Sequence, residues 1–225
     1  MEKKNYDDLK EIALREDMSL FGVADLGGIR QTFHSSIENV AKDLPFGISF
    51  GFHLSESILD GIIDKPTLIY KHHYKAVNYR LDQVALKVVK FIQDNGFNAF
   101  PIPASQTIDW ENKLGHLSHK LVAKFAGLGF IGRSSLLVNP EHGAKVRYVT
   151  ILTDLPLEAN KPLEIDCKEC KKCIEACPAQ AITMEEYDKA KCTEKLKEFS
   201  KERGIGVYIC GVCVRECKGK VNSCQ

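Results

Sequence analysis

The placement of the cysteines constrains this chain more than any other feature. All nine cysteines of the 225 residues fall between Cys167 and Cys224. The first four read Cys167-x2-Cys170-x2-Cys173-x3-Cys177 and are followed by Pro178. A 4Fe-4S cubane needs four thiolates, and a tight loop can supply three of them before the chain leaves. The spacing therefore predicts iron-sulfur clusters in the C-terminal quarter.

A second half-motif, Cys210-x2-Cys213-x3-Cys217, lies downstream. In bacterial ferredoxins with two clusters, the cysteine before proline ligates the other cluster, so a complementary half-motif is expected. The two half-motifs supply seven thiolates, and two cubanes need eight. Either Cys192 or Cys224 must supply the last one. We favour Cys192, because Cys224 is the penultimate residue and chain ends fray.

Other uses of the cysteines fit less well. A zinc ribbon would leave several thiols unused and would not explain the Cys-Pro sequence. Disulfides are disfavoured, because residues 1–10 are charged and form no signal peptide, and the first 166 residues contain no cysteine. No apolar run approaches the length of a membrane span. We therefore expect a reducing, cytoplasmic location and no membrane contact.

The composition changes near Pro162. A cysteine-free body, residues 1–160, precedes a cysteine-rich module, residues 161–225, so we expect two domains. Hydrophobic residues make up 44% of the chain, which is enough for a substantial core. The net charge of +1 argues against a broad nucleic-acid surface, and no nucleic-acid partner is expected.

Hydrophobic periodicity predicts a mixed order of helices and strands in the body. Helices are predicted over residues 6–18, 81–92 and 117–126, and strands over residues 21–26, 46–52, 134–138 and 146–153, with residues 98–103 extended. Gly96 stands where the cap of the second helix belongs.

The most specific string of the body is residues 126–137, which holds Gly127, Gly129 and Gly132. Glycines allow the backbone to approach a flat or bulky ligand closely. The spacing also occurs in dinucleotide-binding turns, but those follow a strand and open a helix. Here the string follows a predicted helix and precedes a strand, which argues against a dinucleotide.

Residues 126–157, the Cys167 to Pro178 motif, Cys192 and the second half-motif together resemble the epoxyqueuosine reductases, which are similar to the catalytic part of reductive dehalogenases. The resemblance is dense over residues 115–217. It implies an α/β (α+β) fold, with a nitroreductase-like domain that binds cobalamin base-off and a ferredoxin-like module with two 4Fe-4S clusters. Electrons would pass from the clusters to cobalt. A flavin is the alternative occupant, because nitroreductase-like folds commonly hold one.

The resemblance also implies roles by position. It gives one cluster to Cys167, Cys170, Cys173 and Cys217, and the other to Cys177, Cys192, Cys210 and Cys213. It places Gly127, Gly129, Gly132, Arg133, Ser134, Ser135, Asn139 and Gly143 at the border of the corrin. The implied partner is an electron donor such as a ferredoxin or flavodoxin.

The chain departs from the family in two respects. Lys113 stands near the position of the family's catalytic aspartate, and Asp109 fills that role only with a shifted alignment. His119 and His116, one helical turn apart, are the other candidate proton donors, although surface histidines without such a role are at least as common. The chain also stops at Gln225, without the helical-repeat extension that many members use to approach tRNA. We therefore expect a small-molecule substrate rather than epoxyqueuosine in tRNA.

Two alternatives to a cobalamin-dependent reductase remain open from the sequence. The first is an electron-transfer ferredoxin whose body docks a partner enzyme. The second is a protein that reduces or holds cobalamin without a substrate of its own.

Overall fold

The structure, a computed structural model, describes residues 1–219. The chain divides into two compact units, and each is assembled from three separate stretches. The first unit consists of Met1–Phe52, Asn78–Gly129 and Arg147–Leu163. The second consists of His53–Val77, Phe130–Val146 and the residues from Glu164 onward. The expected domain boundary between residues 160 and 161 stays a prediction.

Helices and strands alternate in a mixed α/β order, as predicted. In chain order they are α1 (Glu2–Arg15), β1 (Leu20–Asp25), α2 (Ser35–Ala41), β2 (Phe46–His53), α3 (Glu56–Asp60), α4 (Leu68–Asp94), β3 (Ala99–Ile102), α5 (His119–Phe125), β4 (Phe130–Ile131), β5 (Leu137–Val138), β6 (Val146–Thr153), α6 (Lys172–Ala176), α7 (Lys189–Ser200) and α8 (Val212–Glu216). Among the described residues no helix is long and apolar enough to cross a membrane.

A four-stranded sheet, in the order β1-β2-β6-β3, forms the centre of the first unit. Strands β1 and β2 pair antiparallel, with Phe21 opposite Phe50, and β3 pairs antiparallel with β6. The alternating pattern of β2 suggests a strand with one buried face. The residues from Gly47 to Gly51 are instead all buried. The positions between the aromatic residues are small, and an added Cβ at Gly47 would meet Leu26 and Val122 of α5 within 3 Å.

Helix α4 is much longer than predicted. Its predicted part, residues 81–92, presents Leu81, Val88 and Ile92 to the core, and all three are fully buried. The helix begins earlier, at Leu68. In this first part, polar and aromatic side chains interrupt the apolar spacing from which a helix is predicted. It ends as expected near Gly96, which adopts a φ of +82° that disfavours other residues.

The second unit contains a short hairpin of β4 and β5 and the helices α6, α7 and α8. Phe130, Val138 and Ala144 form a small buried cluster here, with Cys167 and Cys217 packed against it. The strand predicted over residues 134–138 is reduced to Leu137–Val138. The cause is a turn that starts at Gly132, in which Ser135 takes a φ of +57°.

Close packing of β1 against the end of α5 gives a test of the first unit. An added Cβ at Gly22 would lie 2.3 Å from the carbonyl oxygen of Ala126, which is backbone and cannot rotate away. We expect Gly22→Ala to lower the free energy of unfolding by about 1–3 kcal/mol, measured by urea denaturation followed by circular dichroism. Gly28→Ala is the control, because its nearest atom lies 4.0 Å away. Equal losses in the two variants would contradict the packing argument.

Candidate iron-sulfur and cofactor site

The first cysteine half-motif forms a tight loop in the second unit. The backbone amide of Cys170 donates to the carbonyl of Cys167 at 3.0 Å, and Lys168 adopts a φ of +43° between them. Arg133, from the turn after β4, donates to the carbonyl of Cys170 at 3.3 Å and to that of Lys168. The hairpin therefore holds the loop in place, and α6 begins directly after it.

Cys217 returns to this loop from the far end of the second half-motif. Cys217 and Cys167 pack against the same buried apolar cluster. An added Cβ at Gly143 would lie 2.0 Å from the carbonyl oxygen of Cys217. Only glycine permits such an approach, and Gly143 also has a φ of +62°. We name Cys167, Cys170, Cys173 and Cys217 site A.

The electrostatics of site A reflect four neighbouring thiols. Burial raises the pKa of Cys173 to about 11, and the charges of Cys167, Cys217 and Cys170 act in the same direction. Burial also raises the pKa of Cys217, with Cys167 and Cys170 again among the causes. Thiols with raised pKa values keep their protons at neutral pH, so a metal must displace those protons when it binds.

A second set of cysteines gathers nearby in the same unit. Burial raises the pKa of Cys210 to about 11, and the charges of Cys192 and Cys177 raise it further. Burial also raises the pKa of Cys213, and after burial the charges of Cys210 and Cys192 are the largest causes. Cys173 is the one member of site A whose charge also raises the pKa of Cys213. We name Cys177, Cys192, Cys210 and Cys213 site B.

The eight cysteines of these two sites are all free thiols. Cys224, the rejected candidate for the eighth ligand, lies outside the described residues. Across residues 1–219, no three histidine, cysteine or acidic side chains converge tightly enough for a single metal ion. In a cubane each iron binds one cysteine sulfur, so the four cysteines stand further apart than the ligands of a single metal ion.

Tyr187 contacts a cysteine of site B, and this contact was not predicted from the sequence. Burial raises the pKa of Tyr187, and its hydroxyl donates a hydrogen bond to Cys192, which raises the pKa further. The next residue, Asp188, caps α7 by accepting from the amide of Lys191 at 3.0 Å. The cap fixes where α7 begins, and Cys192 lies in its first turn. The sequence signal for this contact is the short distance along the chain between Tyr187 and Cys192.

A groove of about 280 Å³ lies beside site A in the second unit. Gly132, Arg133 and Ser135 line one side, and residues 183–187 line the other. These three residues belong to the predicted corrin border. The Nε atom of Arg133 is buried and has no hydrogen-bond partner among the described residues. The groove suits part of a bulky polar cofactor and is too small for a whole corrinoid.

Other residues of the predicted corrin border support the chain itself. An added Cβ at Gly132 would lie 2.8 Å from Val138 Cγ2 and 3.2 Å from the sulfur of Cys167, so the small residue allows the close packing of the hairpin beside site A. Asn139, which is buried like Ser134, accepts hydrogen bonds from the amides of Glu141 and His142. The turn that begins at Asn139 brings Gly143 into contact with Cys217.

The other two glycines of the string belong to the first unit. Gly127 has a φ of +72°, and its added Cβ would lie 2.8 Å from the carbonyl of Lys161. Gly129 is buried. Contact of these residues with a corrin stays a prediction.

The candidate proton donors all lie in the first unit and all have protein partners. His119 Nδ1 lies 2.8 Å from Thr150 Oγ1, and its Nε2 lies 3.0 Å from the carbonyl oxygen of Pro103. The carbonyl can only accept, so Nε2 carries the proton and Nδ1 accepts from the threonine. Burial lowers the pKa of His119 to about 4, which makes the ring neutral at pH 7.

The remaining two candidates are engaged in loops. His116 contacts Ser36 at 2.9 Å and Gln106 at 3.2 Å. Asp109 accepts hydrogen bonds from the backbone and side chain of Asn112, which lower its pKa and keep it ionised. Catalytic roles for His119, His116 and Asp109 stay predictions.

No protein-family model matches the chain. Known proteins do resemble it in sequence. It is 37% identical over 107 residues to the epoxyqueuosine reductase of Leadbetterella byssophila, an alignment that covers 44% of this chain and 35% of the relative. It is also 37% identical over 138 residues to the tetrachloroethene reductive dehalogenase of Dehalobacter restrictus, which covers 60% of this chain and 23% of the relative.

Solved structures share the fold. A catabolic reductive dehalogenase matches 96% of this chain with a TM-score of 0.76, at 18% identity, over 32% of its own length. The epoxyqueuosine reductase of Streptococcus thermophilus matches 95% of this chain with a TM-score of 0.62, at 18% identity, over 65% of its length. The resemblance seen in the sequence is therefore confirmed for both groups. The chain spans about a third or less of the curated relatives named above.

The hydrogen bond from Tyr187 to Cys192 gives a test of site B in iron-loaded protein. Hydrogen bonds to cluster sulfurs raise the reduction potential, because they stabilise the more negative reduced state. We expect Tyr187→Phe to lower the midpoint potential of one cluster by about 40 mV, which corresponds to about 1 kcal/mol in a one-electron couple. A redox titration followed by electron paramagnetic resonance measures it. Tyr79→Phe is the control, since Tyr79 lies in the first unit and is 67% exposed. Equal potentials in all three proteins would remove Tyr187 from the site.

Proposed function

We propose that this protein passes electrons from two 4Fe-4S clusters to a bound cobalamin and thereby reduces a small molecule. One observation carries the proposal: the eight described cysteines gather into two sets of four, and each set combines cysteines of both half-motifs. This arrangement is typical of proteins with two cubanes. It would give a cluster at site A and another at site B.

The similar proteins supply the case for cobalamin. One structural neighbour is a reductive dehalogenase whose structure suggests a mechanism for B12-dependent dehalogenation. In this chain, Gly132, Arg133 and Ser135 of the predicted corrin border line the groove, which supports part of a corrinoid at this place. We propose that cobalamin binds with its lower base displaced. Cobalamin, when bound, supplies the metal chemistry of the reductive step.

The chain's own residues would order the flow of electrons. Site A lies against Gly132 and Gly143, within the stretch assigned to the corrin border, whereas site B takes Cys192 from α7 and Cys213 from α8. Electrons would then enter at site B and leave from site A. Phe130, Val138 and Ala144 pack against Cys167 and Cys217 and would shield this side of site A from water.

The finer description of the fold belongs to the same proposal. Residues 1–160 would form a nitroreductase-like cobalamin domain, and residues 161–225 a ferredoxin-like module. We propose a cytoplasmic location, an electron donor of the ferredoxin or flavodoxin type, and no nucleic-acid partner. Lys113 stands near the family's aspartate position and offers no carboxylate there, so we propose a substrate other than epoxyqueuosine in tRNA.

Metal content and single cysteine variants test the two sites. Anaerobically reconstituted protein should contain about eight irons and about eight sulfides. We expect Cys217→Ala to impair site A and Cys192→Ala to impair site B, each reducing the iron content by about half. Cys224→Ala is the matched control and should keep all of the iron. The ligand assignment is wrong if Cys224 proves necessary and Cys192 dispensable.

Cobalamin binding tests the function itself. We expect the absorbance of added cob(II)alamin to shift to its base-off form, and the substrate to reoxidise the reduced protein. Met184 lines the groove and is 37% exposed, so Met184→Trp should fill the groove and weaken binding by about tenfold. Met184→Leu is the control, and iron content should not change in either variant.

The results also separate the alternatives. An unshifted cobalamin spectrum indicates an electron carrier that docks a partner enzyme. A shifted spectrum without substrate-dependent reoxidation indicates a protein that handles cobalamin and has no substrate of its own. Equal affinities of the wild type and Met184→Trp would place cobalamin away from the groove.

A further inference from the structure

An exposed apolar surface occurs on the second unit. Ile63, Leu68 and Ile69, at the start of α4 and just before it, are 76%, 57% and 67% exposed. Tyr208, from the loop before α8, is 37% exposed. A single exposed apolar side chain is ordinary, whereas a group of them indicates an interaction site. We call these four residues the apolar surface.

The two segments that carry the apolar surface lie side by side. A Cδ atom of Leu68 lies 2.9 Å from where a Cβ on Gly204 would be. Lys71 donates a hydrogen bond to the carbonyl of Gly204. Lys65 pairs with Glu202 at 3.3 Å. These contacts join residues 65–71 to residues 202–204.

The apolar surface lies over site B. Ile62 and Tyr70 are buried and stand next to Ile63 and Ile69 in the sequence. A Cβ added at Gly211 would lie 2.6 Å from Ile62 and 2.7 Å from Tyr70. Gly211 directly follows Cys210 in the half-motif of site B. A single layer of buried side chains therefore separates the exposed residues from a predicted cluster ligand.

The charges around this surface are unbalanced. Residues 60–75 and 201–208 contain five lysines and arginines against three acidic side chains. Lys65 pairs with Glu202, whereas Lys75, Lys201 and Arg203 are exposed. A basic rim attracts an acidic partner and speeds its approach. A small apolar centre with a charged rim suits the brief encounters of electron-transfer proteins.

We propose that the apolar surface docks an acidic one-electron carrier protein, which reduces the cluster at site B. One electron leaves the reduced carrier and enters the oxidised cluster, and no covalent bond forms or breaks. The inference rests on the proposed two-cluster function, and it adds the place and chemistry of the donor.

The test compares reduction by a protein donor with reduction by a small molecule. In the reconstituted full chain, Ile69→Glu should lower the second-order rate constant for reduction by flavodoxin hydroquinone by about tenfold or more. Dithionite needs no docking surface, so it should reduce the wild type and the variant equally fast. Leu86→Glu is the matched control, because Leu86 is a 56% exposed apolar residue of α4 in the first unit.

Binding without turnover gives an independent readout. Oxidised flavodoxin, titrated calorimetrically, should bind Ile69→Glu about tenfold more weakly than it binds Leu86→Glu. The wild-type rate constant with flavodoxin hydroquinone should fall between about 50 mM and about 300 mM salt, since salt screens the basic rim. A rate constant that does not change with salt would overturn the charge argument.

The failures of the two proposals are distinguishable. Wild-type protein with about four irons overturns the two-cluster function. Full iron content with equal flavodoxin rates in the wild type and Ile69→Glu overturns only the docking surface. Lys171 lies beside site A. If Lys171→Glu lowers the rate constant and Ile69→Glu does not, the donor docks at site A.

Discussion

Four sulfur atoms must meet at each proposed cluster, and a short loop can bring only three of them together. The structure meets this requirement at site A by returning Cys217 to the loop that starts at Cys167. The return depends on Gly143, because any larger residue would collide with the backbone of Cys217. Asn139 shapes the turn that presents Gly143. The local geometry of one turn therefore decides whether the distant cysteine can reach its partners.

The same requirement changes the meaning of the glycine-rich string. Glycines in such a string suggest close approach to a ligand. At Gly132 and Gly127, the atoms that a side chain would meet belong to the chain itself, namely the Val138 side chain and the carbonyl of Lys161. A glycine motif thus reports that something lies close to the backbone. Only the fold reveals whether that neighbour is a cofactor or protein.

The two sites have different surroundings within the second unit, and this difference supports the separate roles proposed for them. Site A is covered by an apolar cluster and adjoins the groove lined by Arg133. Site B lies one layer beneath exposed apolar side chains with a basic rim. The proposed electron route, which enters near the surface and ends beside the groove, rests on these surroundings. Tyr187, which also lines the groove, adds a hydrogen bond at site B.

The sequence alone determined the features that depend on local periodicity and spacing: the two cysteine half-motifs, the mixed order of helices and strands, strand β6 and the core face of α4. It could not determine the two interleaved units, the hydrogen bond of Tyr187, or the internal partners of His119. It also predicted too long a strand before Val138, because the turn at Gly132 is set by contacts with the cysteine loop. These features were decided by the tertiary structure, since each depends on residues far apart in the chain or on side-chain orientations that spacing does not encode.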